Sequence, residues 1–359
     1  MERVMENENW KRQIEHSLRN TKDLPADFVI TESEKNYFEN TARGGSLGFS
    51  VTPYYFSLAE NNPSDPIRRQ FMPSMDEFAV KTYELEDPLG ENRFSPCTRL
   101  IHRYQDRALL LVTDSCAVYC RHCFRRSFTR LNRGIISMEE LGNVIAYLKR
   151  HDEIMELLIS GGDPLMLDNQ ELEMILDRIT GARKDLVLRV GTRAPVVLPQ
   201  RIDNGLLSVL KSYLPLWVIT QFNHPREITA QSRKAVSSLV DSGIPVLNQT
   251  VLLRGVNDDE DTLALVCREL VKIRVKPYYL FQGDLAEGTS HFRVPLKRGM
   301  KIAQELRRKV SGLALPVYAV DLPGGGGKVP LTESYFLKRE NGSCYFKNGE
   351  GEVYKYPDE

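Results

Sequence analysis

Six short apolar runs, at residues 108–113, 155–159, 186–190, 216–220, 245–252 and 276–281, recur mostly about thirty residues apart. An interval of that size holds one strand and one covering helix, so the runs read as a βα repeat. The stretches between them carry helix start signals: Ser137 with Glu140 and Asp168 with Glu171 are pairs of the capping-box type. Six successive parallel strands with outer helices predict an α/β fold, a partial (β/α)6 barrel within a single core domain. In such barrels the loops after the strand C-termini carry the chemistry. Three cysteines, a Gly161-Gly162-Asp163 turn and Asn223-His224 all fall at those places.

Two appendages flank the repeat. Trp10, Ile14 and Leu18 or Ser17 lie at helical spacing, which predicts an amphipathic helix over 9–20. Helical and loop segments punctuated by Pro53, Pro63, Pro66 and Pro73 continue to about residue 95. Residues 1–95 thus read as an N-terminal helical extension and 96–315 as the barrel. After a helix over 296–311, the segment 316–359 holds an apolar run Val317 to Val320, the glycine run with its lysine and a tail. The tail, with Asn341-Gly342 and Asn348-Gly349 turn signals, reads as β-hairpins. The 48 basic and 48 acidic residues balance, which removes any general electrostatic reason for a nucleic-acid or anionic-membrane partner. Met1 to Glu8 is charged from its second residue and has no apolar core, so neither a secretion signal nor an anchor is expected, and the expected location is cytoplasmic.

Cys116, Cys120 and Cys123 are spaced C-x3-C-x2-C directly after the first apolar run. Three thiolates can hold three irons of a four-iron cluster and leave the fourth iron open to something small. A zinc site or a disulfide with one spare thiol are the plainer alternatives, although a closed zinc site wants four ligands. Cys97, Cys267 and Cys344 carry no motif. Pro323 is followed by four consecutive glycines and Lys328, at a cost in backbone entropy that a simple connector does not need. Either the free amides cradle a phosphate with Lys328 as counter-ion, or Lys328 is a nucleophilic amine of the imine-forming kind. Gly161-Gly162 admits a close ligand or is merely a tight strand end.

The cysteine spacing with Arg125-Arg126 resembles the radical S-adenosylmethionine (SAM) superfamily, and within it the lysine 2,3-aminomutases. The likeness extends through Ile101-His102-Arg103-Tyr104, Ser160 to Asp163, Ala194 to Arg201, Phe222 to Pro225, Asn248-Gln249, Leu252 to Asp258 and Pro323 to Lys328. It implies a barrel of the radical SAM type whose [4Fe-4S] cluster sits on Cys116, Cys120 and Cys123. It further implies SAM contacts from Gly161, Gly162, Asp163 and Gln249, a cavity lined also by Asn223 and His224, and pyridoxal 5′-phosphate (PLP) on Lys328. Gly325, Gly326, Arg103 and Arg107 would stand near the cofactor phosphate. By the same resemblance Arg125 takes the substrate carboxylate, and Asp284 and Asp321 take the distal ammonium of lysine; glutamate-specific relatives carry non-acidic residues at those two positions. The expected reaction is conversion of L-lysine to β-lysine, an isomerisation, by radical 1,2-amino migration. An aminomutase of arginine, ornithine or glutamate, or one serving elongation-factor modification, is the alternative. The expected partners are the small amino-acid substrate, a reductant for the cluster and further copies of the chain. Better-known members continue into a cysteine-rich zinc segment, and with Cys344 the one late cysteine, zinc is not expected here.

Overall fold

The computed structural model describes residues 9–40, 47–332, 334–348 and 351–358. The charged stretch Met1 to Glu8 and Gly349 of the second expected turn lie outside the described residues. Nine strands form one sheet in sequence order: β1 (Leu100–Tyr104), β2 (Arg107–Thr113), β3 (Glu156–Gly161), β4 (Val187–Gly191), β5 (Leu216–Thr220), β6 (Val246–Leu252), β7 (Lys276–Gln282), β8 (Val317–Leu322) and β9 (Gly327–Pro330). Each expected apolar run is a strand, and β2 through β8 pair in parallel. The parallel set therefore has seven members rather than six, because the run at 317–320 pairs with β7 instead of leaving the barrel.

Two antiparallel strands close the edges, β1 on β2 and β9 on β8. Neither is visible as a strand in the sequence. β1 buries Leu100 and Ile101 but continues into His102, Arg103 and Tyr104, and β9 begins in the glycine run, where strand propensity is low. β9 forms because β8 supplies a partner: Asp321 lies opposite Lys328 and Leu322 opposite Gly327.

Six helices cross over between the parallel strands: α1 (Met138–Leu148), α2 (Asn169–Ala182), α3 (Asn204–Lys211), α4 (Ala230–Asp241), α5 (Glu260–Lys272) and α6 (Leu296–Lys309). Both expected capping boxes are present, Ser137 with Glu140 and Asp168 with Glu171. α1 buries Leu141, Val144 and Leu148 and α2 buries Leu172, Ile175, Leu176 and Ile179, the inward stripe of an amphipathic helix. These side chains share one core with Leu110, Val112, Leu157, Ile159, Leu188 and Val190 of the sheet, and each such burial is worth about 1.5–3 kcal/mol.

The N-terminal helix covers Trp10–Glu15, shorter than the 9–20 expected, because Leu18 leaves the helix to bridge Val51. This region is not loosely attached. Tyr37, Tyr55 and Phe71 are fully buried, and the segment runs across the loop that follows β2, with Tyr119 N–H donating to Ser50 O at 3.1 Å and Arg121 N–H to Gln70 O at 2.9 Å. Past the barrel, β10 (Phe336–Glu340), β11 (Ser343–Lys347) and β12 (Val353–Pro357) make a separate antiparallel sheet. Its first turn is the expected one, with Asn341 and Gly342 both at positive φ. Among the described residues no helix is long and apolar enough to cross a membrane.

Candidate active site

β2 ends at Thr113, and the cysteine loop begins there. The end of β3 presses against it: Gly162 N–H donates to Thr113 O at 2.6 Å and Asp163 N–H to Ser115 O at 2.8 Å. A Cβ on Gly161 would stand 2.2 Å from Thr113 O, and one on Gly162 2.4 Å from Ser115 O, so the two glycines allow this backbone-to-backbone contact. Asp163 is buried and accepts from Leu165 N–H, Thr192 Oγ1–H and Arg193 N–H. The turn that the resemblance assigns to SAM thus also clamps the cysteine loop to its neighbouring strands.

Cys116, Cys120 and Cys123 are all free and partly buried. Burial, with Asp163 and the other two sulfurs facing it, drives the Cys116 thiol well above its ordinary range, and burial with Cys120 pushes Cys123 up to about 11. Two thiols raised in this way need a cationic centre to ionise. Among the described residues the group of metal-type donors gathered within 4.8 Å is His102, His151 and Glu153, and it does not include these cysteines. Arg193 completes the setting, donating from Nη1 to Cys120 Sγ at 2.7 Å and from Nη2 to Gln70 at 2.6 Å and Glu227 at 2.7 Å.

Beneath the loop lies a buried brace that sequence reasoning missed. Arg121 donates to both carboxylate oxygens of Glu77, at 2.7 and 2.6 Å, and to Tyr37 Oη at 2.6 Å. Arg126 donates to Glu77 and to Gly288 O at 2.9 Å. Burial alone would raise the Glu77 carboxyl, but the two guanidiniums outweigh it and hold the group below its ordinary value. Arg121 lies within the cysteine motif and Arg126 three residues past it, and both could have been flagged; Glu77, more than forty residues upstream, had no local signal.

The other end of the site is the β8–β9 hairpin. Lys328 Nζ lies 3.6 Å from Asp321 Oδ2, 4.2 Å from the Phe281 ring centre and 4.6 Å from that of Tyr279. Its backbone N–H donates to Tyr104 Oη at 3.2 Å. Burial lowers the Lys328 amine, opposed by Asp321 and Asp284. Burial first and Asp321 second raise Asp284 to about 7, against Lys328 and Arg125. Arg103 Nη2 is buried without a hydrogen-bond partner among the described residues, beside Gly327. Arg107 is turned to Asp106 at 2.7 Å and to the Tyr104 ring at 4.0 Å. The glycines answer close neighbours: a Cβ on Gly325, at φ +88°, would meet Phe94 at 2.4 Å, and one on Gly326 would meet Leu322 at 2.7 Å.

Arg125, two residues past Cys123, sits between the two ends. Its fork is already engaged side-on by Glu91, Nε at 3.0 Å and Nη2 at 2.5 Å, and it also feels Cys123 and Asp284. The remaining expected residues take quieter places. Asn223 is fully buried and bonded to Gln70 and to Val251 N–H. His224 caps the short turn Pro225–Glu227, and Gln249 lies partly exposed on β6 opposite Tyr279.

A half-barrel with three cysteines after its first parallel strand is the architecture of radical SAM enzymes, and residues 110–266 match the radical SAM superfamily. Residues 303–359 match the C-terminal region described as lysine-2,3-aminomutase. An L-lysine 2,3-aminomutase of Clostridium subterminale is 40% identical over 98% of this chain and 84% of its own length. That of Bacillus subtilis is 42% identical over 98% and 74%. A glutamate 2,3-aminomutase of Clostridioides difficile is 37% identical over 98% and 83%. This chain belongs to the lysine 2,3-aminomutase family of radical SAM enzymes, which are isomerases. Membership implies a [4Fe-4S] cluster and SAM.

Proposed function

We propose that the enzyme converts L-lysine to β-lysine with PLP as second cofactor, the cluster resting on Cys116, Cys120 and Cys123 and the PLP on Lys328. The observation that carries the substrate is the carboxylate pair. Asp284 and Asp321 share one nearby ammonium, that of Lys328, and burial with Asp321 beside it holds the Asp284 proton up to about pH 7 against Lys328 and Arg125. A substrate with a distal ammonium supplies a second cation, whereas a glutamate side chain would add a third negative charge.

The residues present fit PLP. Lys328 has the lowered basicity that a condensing amine requires. Arg103 has an unpartnered buried Nη2 next to the glycine backbone, suited to a phosphate oxygen. When bound, the cluster and SAM supply the hydrogen-abstracting radical, and PLP supplies the conjugated carbon that lets nitrogen pass from C2 to C3. The chain's own residues do the rest. With Lys328 holding the cofactor, the Asp321 and Asp284 carboxylates would take the substrate ammonium. Arg125 holds the substrate carboxylate at the opposite end, near the cysteine loop. Tyr279 and Phe281 keep water from the space between. An external one-electron reductant feeds the cluster, in keeping with a reducing compartment.

The test is anaerobic incubation of reconstituted enzyme with SAM, PLP, reductant and a panel of amino acids, followed by analysis for β-isomers. β-Lysine should form fastest; faster isomerisation of glutamate or alanine would remove lysine as the substrate. Borohydride should fix the cofactor to the peptide containing Lys328 and not in Lys328→Ala, and labelling of another lysine would refute the PLP site.

A further inference from the structure

We propose that Glu91 is a positioning residue for Arg125: it grips the guanidinium side-on, leaves the opposite edge free for the substrate carboxylate, and keeps Arg125 from turning onto Asp284. The inference rests on the reading of Arg125 as the carboxylate's partner. A guanidinium offers two bidentate edges, Nε with Nη2 and Nη1 with Nη2. Glu91 occupies the first, at 3.0 and 2.5 Å, with both side chains more than four-fifths buried. Nη1 has no hydrogen-bond partner among the described residues.

Glu91 is itself held from two sides. Asp87 accepts from the Glu91 and Asn92 N–H groups, both at 2.9 Å. The same loop is docked on the glycine run, with Gly324 N–H donating to Pro88 O at 3.1 Å and Arg93 Nη1 donating to Gly324 O at 3.1 Å. Gly90, at φ +63°, permits the approach, since a Cβ there would stand 2.9 Å from Gly324 C. Glu91 therefore reaches Arg125 from a loop whose position is set by the segment that carries Lys328.

Charge explains why such a clamp is needed. Arg125 faces Asp284 as well as Glu91. An unheld guanidinium would be drawn to the Asp284–Asp321 pair and would neutralise the carboxylates meant for the substrate ammonium. With Glu91 in place the negative pair stands at one end of the site and the free guanidinium edge at the other, the charge arrangement of a lysine zwitterion reversed.

The experiment compares cluster- and PLP-loaded wild-type enzyme with Glu91→Gln, Glu91→Asp and Arg125→Lys, measuring L-lysine kinetics and inhibition by L-lysinamide, which lacks the carboxylate. Glu91→Gln should raise KM for lysine about tenfold with kcat within about threefold, the loss of one hydrogen-bonded charge that orients rather than reacts. Inhibition by lysinamide, iron content and thermal midpoint should stay at wild-type values, and Glu91→Asp should recover most of KM. A lower KM in Glu91→Gln would mean that Glu91 competes with substrate for Arg125, and would overturn positioning. An unchanged KM in Glu91→Gln beside a raised one in Arg125→Lys would also overturn it while leaving Arg125 as carboxylate partner. If Arg125→Lys does not alter the discrimination of lysine from lysinamide, the reading of Arg125 itself fails.

Discussion

At the cysteine end of the site, Glu77 is enclosed by two guanidiniums and Arg193 by Glu227, Gln70 and Tyr55. At the lysine end, Asp284 titrates near 7, the Lys328 amine is depressed and Arg103 points a bare Nη2 at the glycine run. The two ends differ in pairing. Buried charges with full partners make a rigid seat for a permanent group, whereas buried charges left in deficit hold free energy that a ligand of the right charge recovers.

The strongest way to break this comparison is Glu77→Gln. It leaves Arg121 and Arg126 without their counter-charge and should destabilise the protein by about 3–5 kcal/mol, read as a lower thermal midpoint and lost iron in anaerobic preparations. A midpoint within error of wild type would show that the cysteine end is not braced as described.

At the lysine end the opposite pattern is expected. Asp284→Asn and Asp321→Asn should each reduce kcat/KM for lysine about a hundredfold, near 3 kcal/mol of lost ammonium binding, with SAM binding and cofactor attachment intact. Near-normal lysine turnover in both variants would remove the pair as the ammonium site.

The pH dependence sharpens the contrast. Asp284 has a folded value of about 7 against about 3.9 unfolded, so the folded chain binds the extra proton in that window. Its contribution to the stability of ligand-free protein therefore falls as pH rises from about 4 to 7 and is level above. Asp284→Asn should flatten that slope and raise the melting midpoint at pH 8 relative to wild type, with little change at pH 4. Equal slopes in the two proteins would contradict the deficit.

The smallest effect concerns the cradle. Gly325→Ala places a Cβ at φ +88° against Phe94 and should cost about 1–3 kcal/mol, partly recovered when Phe94 is shortened to leucine. No recovery would mean that backbone strain, not the ring, sets the glycine.

Much of the fold was legible. The βα interval, the two capping boxes and the Asn341-Gly342 turn are local patterns in which each residue's neighbours in sequence are also its neighbours in space. The seventh parallel strand was visible as an apolar run but not as a barrel member, and β1 and β9 were not visible at all. Of the site, Cys116, Cys120, Cys123, Lys328, Asp284 and Asp321 each stood at a motif or strand end. Glu77, Glu91 and Gln70 did not, since an acidic or amide residue in a loop-rich stretch looks like any solvated one.

By itself, then, the sequence determined the alternation of strands and helices, the cysteine loop after β2 and the glycine run before Lys328, because these follow from short-range sterics, capping and spacing. Only the tertiary structure decided that Asp321 faces Lys328 across a hairpin, that Glu77 lies between Arg121 and Arg126, and that Glu91 takes hold of Arg125. Those pairings join groups from separate stretches of chain, and the partner a buried charge finds depends on which surfaces the packed barrel brings together, which no local pattern encodes.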